Sequence, residues 1–198
     1  MAKANYCSYL FEASVGGGIP IIRPLNQSLT ADEILEISGI LNGTTNYILT
    51  KMAKEGLSFD VVLKEAQDLG YAERNPEADV EGYDACRKIA ILSSLAFGNQ
   101  VDYEDIYTEG ITKITLDDVA YIGAFGGVIK LLGRAKRMDD GKIYAIVSPA
   151  IVMDGSQLAS VNDVFNAILV RGDATGDVVF YGKGAGKLPT ASAVCWHN

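Results

Sequence analysis

The chain has 198 residues and a formal net charge of -8, with 48% hydrophobic and 21% charged residues. This composition is typical of a soluble globular protein and argues against global disorder. Because binding to nucleic acid needs clustered Lys and Arg, the acidic balance argues against a nucleic-acid partner. No apolar run is long enough to cross a bilayer, so we expect no membrane partner.

The cysteines and the single histidine exclude several kinds of site. Cys7, Cys86 and Cys195 include no CxxC pair and are odd in number, so we expect neither a disulfide framework nor a zinc site. His197 lies next to the end of the sequence, which is a poor position for a catalytic triad. Free thiols and a start without the layout of a signal peptide favour a cytoplasmic location.

The first half of the chain has mostly helical patterns. Residues 1–9 are interpreted as a leader, and residues 10–24 predict a strand, a tight turn and an extended segment. Ile34 to Leu41 predicts a buried strand, after which a hydroxyl is expected to cap a helix over 46–54. Further helices are predicted from Ser58 to Gly70, from Asp79 to Phe97 and from Thr115 to Tyr121.

The second half has mostly strand patterns. Strands over 128–138 and 142–152 flank a strong hairpin signal, Asp139-Asp140-Gly141, and two more strands are predicted over 163–170 and 177–181. A Gly-rich loop and a helix from Pro189 follow. Since helices come early and strands late, we expect an α+β fold with a mixed, largely antiparallel sheet and helices packed on one face.

The Gly-rich segment 182–187 has the local context of a phosphate loop, because it lies between a predicted strand and a predicted helix. It lacks the full GxGxxG spacing, and Leu188 stands where a P-loop has Ser or Thr after its Gly-Lys pair. A phosphate contact and a simple loop both stay open.

Asp84 and Lys88 are four residues apart on a predicted helix and therefore share one of its faces. The simplest interpretation is a surface ion pair. After Lys88, however, the helix reads IAILSSLAF, which predicts a buried segment with Lys88 at its mouth. Glu73 and Asp79 precede it around a Pro turn, so the acids can converge with the lysine on a pocket for a small substrate that carries an ammonium group.

Glu12 precedes the turn Gly16-Gly17-Gly18, which frees backbone carbonyls. A carboxylate beside free carbonyls can bind a hard cation. The pattern alone favours a plain tight turn.

Four segments resemble the homoserine dehydrogenase family, in the same order along the chain. They are FEASVGGGIPII (11–22), ILNGTTNYIL (40–49), AQDLGYAERNPEADVEGYDACRKIAIL (66–92) and GAGKLPTASAV (184–194). The resemblance implies an NAD- or NADP-dependent interconversion of homoserine and aspartate semialdehyde in threonine, methionine and isoleucine biosynthesis. Residues 74 and 75, Arg-Asn, depart from the family, which often has an acid before the Pro.

The resemblance also implies roles for individual residues. Lys88 matches the catalytic lysine that donates a proton to the aldehyde oxygen, and the substrate-binding carboxylates match Glu73, Asp79 and Asp84. The backbone contacts to the nicotinamide cofactor match Gly70 and Gly186. The ligands of a sodium site match the side chain of Glu12 and the carbonyls of Val15, Gly17 and Ile19.

Family members have a Rossmann domain followed by a substrate and dimerisation domain. We therefore expect residues 1–9 to be a leader or a remnant of the nucleotide-binding domain, 10–182 the catalytic domain, and 183–198 a segment that returns to the Rossmann domain. A homodimer through the late strands is implied, with an activity that is latent in this chain. Two alternatives stay open: a non-catalytic dimerisation or ligand-binding module, and a related oxidoreductase acting on another amino-acid-like alcohol.

Overall fold

The strands of the chain form one six-stranded sheet in a computed structural model that describes residue 5, residue 7 and residues 9–195. The strand order is β2-β4-β3-β1-β5-β6, and neighbouring strands are antiparallel except for the parallel pair β2 and β4. The strands are β1 (Ile34–Ile40), β2 (Tyr107–Thr108), β3 (Gly127–Arg137), β4 (Ile143–Met153), β5 (Phe165–Gly172) and β6 (Gly176–Lys183). The predicted α+β class, with its mixed and largely antiparallel sheet, is confirmed.

Helices pack closely on the sheet where β3 has glycine. A side chain at Gly133 would lie 3.1 Å from Ile89, and one at Gly127 would lie 3.2 Å from Ile122. Positions six apart on a strand point to the same face, so the helices that carry these isoleucines cover one face. The helices are α1 (Gly43–Glu55), α2 (Phe59–Asp68), α3 (Glu77–Val80), α4 (Tyr83–Phe97), α5 (Leu116–Ala124) and α6 (Lys187–Cys195).

The late hairpins agree with the predicted strands to within two residues. β3 and β4 pair without interruption from Gly127↔Met153 to Arg137↔Ile143, around the expected turn at 139–141. β5 and β6 pair from Phe165↔Lys183 to Gly172↔Gly176. Local turn chemistry and alternation were sufficient here because both strands of each hairpin lie close together in the sequence.

The strand predicted within residues 10–24 is wrong. The segment contains a 3₁₀-helix over Glu12–Ser14, and a π-helix begins at Pro24 and ends at Ser28. The Glu12 carboxylate accepts hydrogen bonds from the backbone N–H groups of Ile21, Ile22 and Arg23 at 2.6, 2.7 and 2.8 Å. These amides therefore bond to a side chain instead of a neighbouring strand.

The start of α1 and the helix predicted over 79–97 also differ from the predictions. The N-cap of α1 is Asn42, whose Oδ1 accepts the backbone N–H of Thr45 at 2.9 Å, so the predicted hydroxyl cap and later start are wrong. Asn is among the strongest N-cap residues, which explains the earlier start. The single helix predicted over 79–97 is two helices, α3 and α4, because Gly82 between them has a φ of 82°.

The expected leader over 1–9 lies mostly outside the described residues, and so does the end of the expected return segment, 196–198. In the part of the chain that is described, no helix has both the length and the apolar character needed to cross a bilayer.

Candidate active site

A cleft of about 700 Å³ opens where the N-terminus of α1, the turn before α3, the start of α4 and the loop after β6 meet. The residues predicted to bind substrate and cofactor all line this cleft. They are Gly70, Glu73, Asp79, Asp84, Lys88 and Gly186. The fold thus brings together residues that are more than a hundred positions apart in the sequence.

Lys88 lies at the wall of the cleft with two hydrogen-bond partners. Its Nζ donates to Oδ2 of Asp84 at 2.7 Å and to the carbonyl of Leu41 at 3.0 Å. The Lys88 side chain is 20% exposed and that of Asp84 is 32% exposed. An ammonium group has three N–H donors, so one remains for a ligand in the cleft.

Asn42 joins the acids of the cleft and was not among the predicted site residues. Its Nδ2 donates to Oδ1 of Asp79 at 2.7 Å and to Oδ2 of Asp84 at 2.9 Å, while its Oδ1 caps α1. One amide side chain therefore links α3, α4 and the start of α1 through hydrogen bonds. The signal available in the sequence was the strong N-cap preference of Asn before Gly-Thr-Thr.

Of the two acids that Asn42 joins, Asp84 is paired with Lys88, whereas Asp79 forms no ion pair with a described residue. Burial raises the pKa of the Asp79 carboxyl above its ordinary value, and the negative charge of Asp84 acts in the same direction. The hydrogen bond from Asn42 opposes this shift. An additional cation in the cleft would stabilise the ionised carboxylates, which is the chemistry expected of a site for an ammonium-bearing ligand.

Glu73 lies at the exposed rim of the same cleft. Its backbone carbonyl accepts a hydrogen bond from Gln67 at 3.2 Å, but its carboxylate pairs with none of the described side chains. The structure thus brings Lys88 into direct contact with Asp84 and leaves the Glu73 carboxylate available at the rim.

Gly70 and Gly186 present bare backbone to the cleft. Their φ angles are 76° and 121°, which are conformations that favour glycine. No atom lies within 4 Å of the place where a side chain at Gly70 would begin, whereas Pro189 lies 3.3 Å from the equivalent place at Gly186. Both residues are exposed, so a ligand group can approach their backbone.

The residues predicted to bind sodium lie outside the cleft, behind the loop after β6. Glu12, Val15, Gly17 and Ile19 are all buried. The carbonyls of Val15, Gly17 and Ile19 accept no hydrogen bond from the residues that the structure describes. A side chain at Gly17 would collide with the carbonyl of Gly184, so this loop directly supports the wall of the cleft.

Two buried polar side chains were not predicted. Asn166 on β5 is 1% exposed and lines the cleft, and Lys130 on β3 is 2% exposed and lies away from it. The Lys130 Nζ donates to Oδ1 of Asn46 and to the carbonyl of Val161. Neither burial could be read from the sequence, because the atoms that contact these side chains come from other segments, namely Asn46 and Val161 for Lys130 and Gly184 for Asn166.

The fold and the cleft define a class of protein: an α+β domain with an acid-lined cleft in which a partly buried lysine is paired with an aspartate. The homoserine dehydrogenase family model matches residues 20–196. The chain belongs to the homoserine dehydrogenase family.

Individual relatives agree with this assignment. The chain is 51% identical over 193 residues to the homoserine dehydrogenase of Bacillus subtilis, which covers 98% of this chain and 44% of that protein. The crystal structure of a homoserine dehydrogenase from Thiobacillus denitrificans matches with a TM-score of 0.96 at 48% identity, over 99% of this chain and 45% of that one. The chain thus spans less than half the length of these relatives.

One structural relative was solved with a cofactor. A hyperthermophilic archaeal homoserine dehydrogenase in complex with NADPH matches with a TM-score of 0.84 at 32% identity, over 99% of this chain and 56% of that one.

Proposed function

We propose that this chain forms the substrate-binding part of an enzyme that interconverts L-homoserine and L-aspartate 4-semialdehyde with NAD or NADP, in threonine, methionine and isoleucine biosynthesis. The observation that carries the proposal is the Lys88–Asp84 pair in an acid-lined cleft. Membership of the family supports the choice of reaction.

In the proposed mechanism, Lys88 acts on the reacting oxygen. Reduction of the aldehyde places negative charge on that oxygen, and the free N–H of the Lys88 ammonium stabilises this charge and supplies the proton. Asp84 holds the ammonium in position. Lys88 then regains a proton from solvent, and in the oxidation direction it accepts the hydroxyl proton. The nicotinamide cofactor, when bound, supplies or receives the hydride.

The acids of the cleft are proposed to bind the α-ammonium of the substrate. Asp79 forms no ion pair with a described residue, although the Lys88 charge acts on it, and it is linked to Asp84 through Asn42. Glu73 at the rim adds a further carboxylate. Anchoring the ammonium fixes the carbonyl next to Lys88, so that the reacting atoms meet in one geometry.

We propose that the nicotinamide ring contacts the backbone at Gly70 and Gly186. Both positions lack a side chain and line the cleft that contains Lys88. The NADPH complex of the archaeal relative supports a dinucleotide as cofactor in the family. In this arrangement the loop after β6 and α6 lead towards a nucleotide-binding domain.

A sodium ion is proposed at the loop of Glu12, Val15, Gly17 and Ile19. Buried carbonyls without donors cost free energy, so a hard cation suits the three that accept no hydrogen bond here. We expect the melting temperature to rise when sodium replaces a bulky organic cation at equal ionic strength. Equal melting temperatures in the two salts would contradict the site.

A homodimer is proposed through the face of the sheet opposite α4 and α5. Tyr107, Tyr144 and Tyr181 all lie on this face and are 62%, 53% and 57% exposed. Exposed aromatic side chains that share one face of a sheet are typical of an interface. Sedimentation should show a dimer at micromolar concentration and a monomer for Tyr144→Glu; a monomeric parent protein would remove this proposal.

A cytoplasmic location is also proposed, because Cys7, Cys86 and Cys195 are all free.

The function is tested with a chimaera in which this chain replaces the matching part of the Bacillus subtilis homoserine dehydrogenase. We expect NADPH oxidation with aspartate semialdehyde, and NADP reduction with homoserine. A folded chimaera that binds NADPH but has no turnover would favour the non-catalytic alternative. Better competition by another amino-acid-like alcohol than by homoserine would favour the related oxidoreductase.

A further inference from the structure

We propose that the side-chain amide of Asn166 binds the carboxamide group of the nicotinamide ring and thereby fixes the orientation of the ring in the cleft. This inference rests on the proposed function and adds a cofactor-positioning residue to it.

Asn166 is a buried polar residue without a partner. Its side chain is 1% exposed, and its Oδ1 has no hydrogen-bond donor among the described residues. Leaving such an acceptor unsatisfied destabilises the fold, so most buried amides in proteins are paired. An unpaired amide that lines a cleft is therefore best explained by a ligand that completes its hydrogen bonds.

The position of Asn166 indicates which ligand. It pairs with Gly182 across β5 and β6 and lies beside the loop that leads to Gly186. A side chain at Gly184 would collide with the Asn166 amide, so the bare backbone of Gly184 and the amide lie against each other. This is the side of the cleft that we assign to the cofactor, whereas the acids that suit the substrate come from α3 and α4.

A carboxamide is the chemical complement of an Asn side chain. Each group has one carbonyl acceptor and one NH₂ donor, so two hydrogen bonds can form between them in parallel. The substrate offers an ammonium and a carboxylate instead, and the ammonium binds better to the carboxylates of the cleft. Pairing with Asn166 would select one of the two faces of the ring for the substrate.

The test uses the chimaera and a cofactor that lacks the proposed donor. In the 3-acetylpyridine analogue of NADPH, a methyl group replaces the carboxamide NH₂. Dissociation constants of both cofactors are measured by fluorescence titration for the parent, for Asn166→Ala and for the control Asn26→Ala, whose side chain is exposed. Binding is the readout because the analogue also differs in redox potential.

We expect the parent and Asn26→Ala to prefer NADPH by about tenfold, which is the effect of one well-formed hydrogen bond. Asn166→Ala should reduce this preference to about twofold. An unchanged preference in Asn166→Ala, or no preference in the parent, would overturn the inference while the proposed function stands. A weaker affinity for homoserine with an unchanged cofactor preference would also overturn it and assign Asn166 to the substrate.

Failure of the proposed function has a different outcome, since a folded chimaera would then bind NADPH without turning over aspartate semialdehyde, whichever residue stands at position 166. Should Asn166→Ala fail to fold, Asn166→Leu has a similar volume and removes the same hydrogen bonds.

Discussion

Two lysine–aspartate pairs of the same spacing lie in different surroundings. On α2, Lys64 and Asp68 are 2.5 Å apart with side chains 69% and 64% exposed. On α4, Lys88 and Asp84 are 2.7 Å apart with side chains 20% and 32% exposed, and Lys88 also binds the carbonyl of Leu41. Spacing alone therefore does not distinguish an ordinary surface pair from a candidate catalytic one.

The two pairs differ because one helix is surrounded by solvent where it carries its pair, whereas the other is packed against the core. The pair on α2 is surrounded by solvent, which screens its attraction and leaves it worth a few tenths of a kcal/mol. The pair on α4 lies where the helix enters the core, next to Asn42 and a second acid. Partial burial makes the orientation of the Lys88 ammonium definite, and that is a requirement for proton transfer.

The largest expected effect comes from replacing the lysine of each pair by alanine. In the chimaera, Lys88→Ala should lower kcat/KM for aspartate semialdehyde by about 1000-fold, because the positioned proton donor is lost. Lys64→Ala should change kcat/KM by less than about twofold. Steady-state kinetics on both variants measure these values. A similar decrease of kcat/KM in the two variants would contradict a special role for Lys88.

A third lysine, Lys130, separates the effect of burial from that of location in the cleft, because it is buried but lies away from the cleft. Burial lowers the pKa of Lys130 to about 8, and the charge of Lys54 adds to this effect. The unfolded chain, with an ordinary pKa of 10.5, holds more protons between these two values, so the free energy of unfolding should rise as the pH increases from about 8 to 10.5.

This rise should reach on the order of 3 kcal/mol and be absent in Lys130→Met. Denaturant unfolding across the pH range measures it. The matched control is Lys136→Met, on the same strand but exposed, and it should behave as the parent does. A parent and a Lys130→Met variant with the same pH dependence would show that burial does not shift this group.

The carboxylates give the next smaller effect. Asp84→Asn keeps the shape of the side chain but removes its negative charge. In the parent, the Asp84 carboxylate accepts hydrogen bonds from Lys88 and from Asn42. We expect kcat/KM to fall by about 30- to 100-fold through misplacement of the ammonium. Asp68→Asn is the control on α2 and should be neutral; kinetics in which both variants are neutral would separate Asp84 from catalysis.

The smallest effect concerns pH and substrate affinity. Because burial raises the pKa of Asp79 above 3.8, this carboxyl takes up a proton at a higher pH in the folded chain than in the unfolded one. Affinity for homoserine should therefore weaken as the pH falls through the raised pKa, by up to about tenfold per pH unit. The same shift makes the carboxyl contribute more stability as the pH falls through that window.

Calorimetric titration of the chimaera with homoserine over a pH series checks this prediction. Asp79→Asn should bind more weakly and lose the acidic dependence. Retention of the full dependence in this variant would assign the titration to another group.

The sequence predictions were accurate where structure depends on neighbouring residues and failed where it depends on contacts between residues farther apart in the chain. The hairpins around 139–141 and 173–176 were placed well, since their turn residues and alternation are local. The single helix over 79–97 failed at Gly82, where a left-handed residue separates two packed segments. The strand in 10–24 failed because Glu12 bonds to amides about ten residues away.

The sequence by itself determined the α+β class, the late hairpins and the residues that resemble a family site, because these depend on local patterns and on motif identity. Only the tertiary structure decided that Lys88 also binds the carbonyl of Leu41, that Asn42 joins two acids, and that Asn166 is left without a partner among the described residues. The physical reason is that burial and hydrogen bonding of a polar group depend on atoms brought from distant parts of the chain, and spacing along one helix does not contain that information.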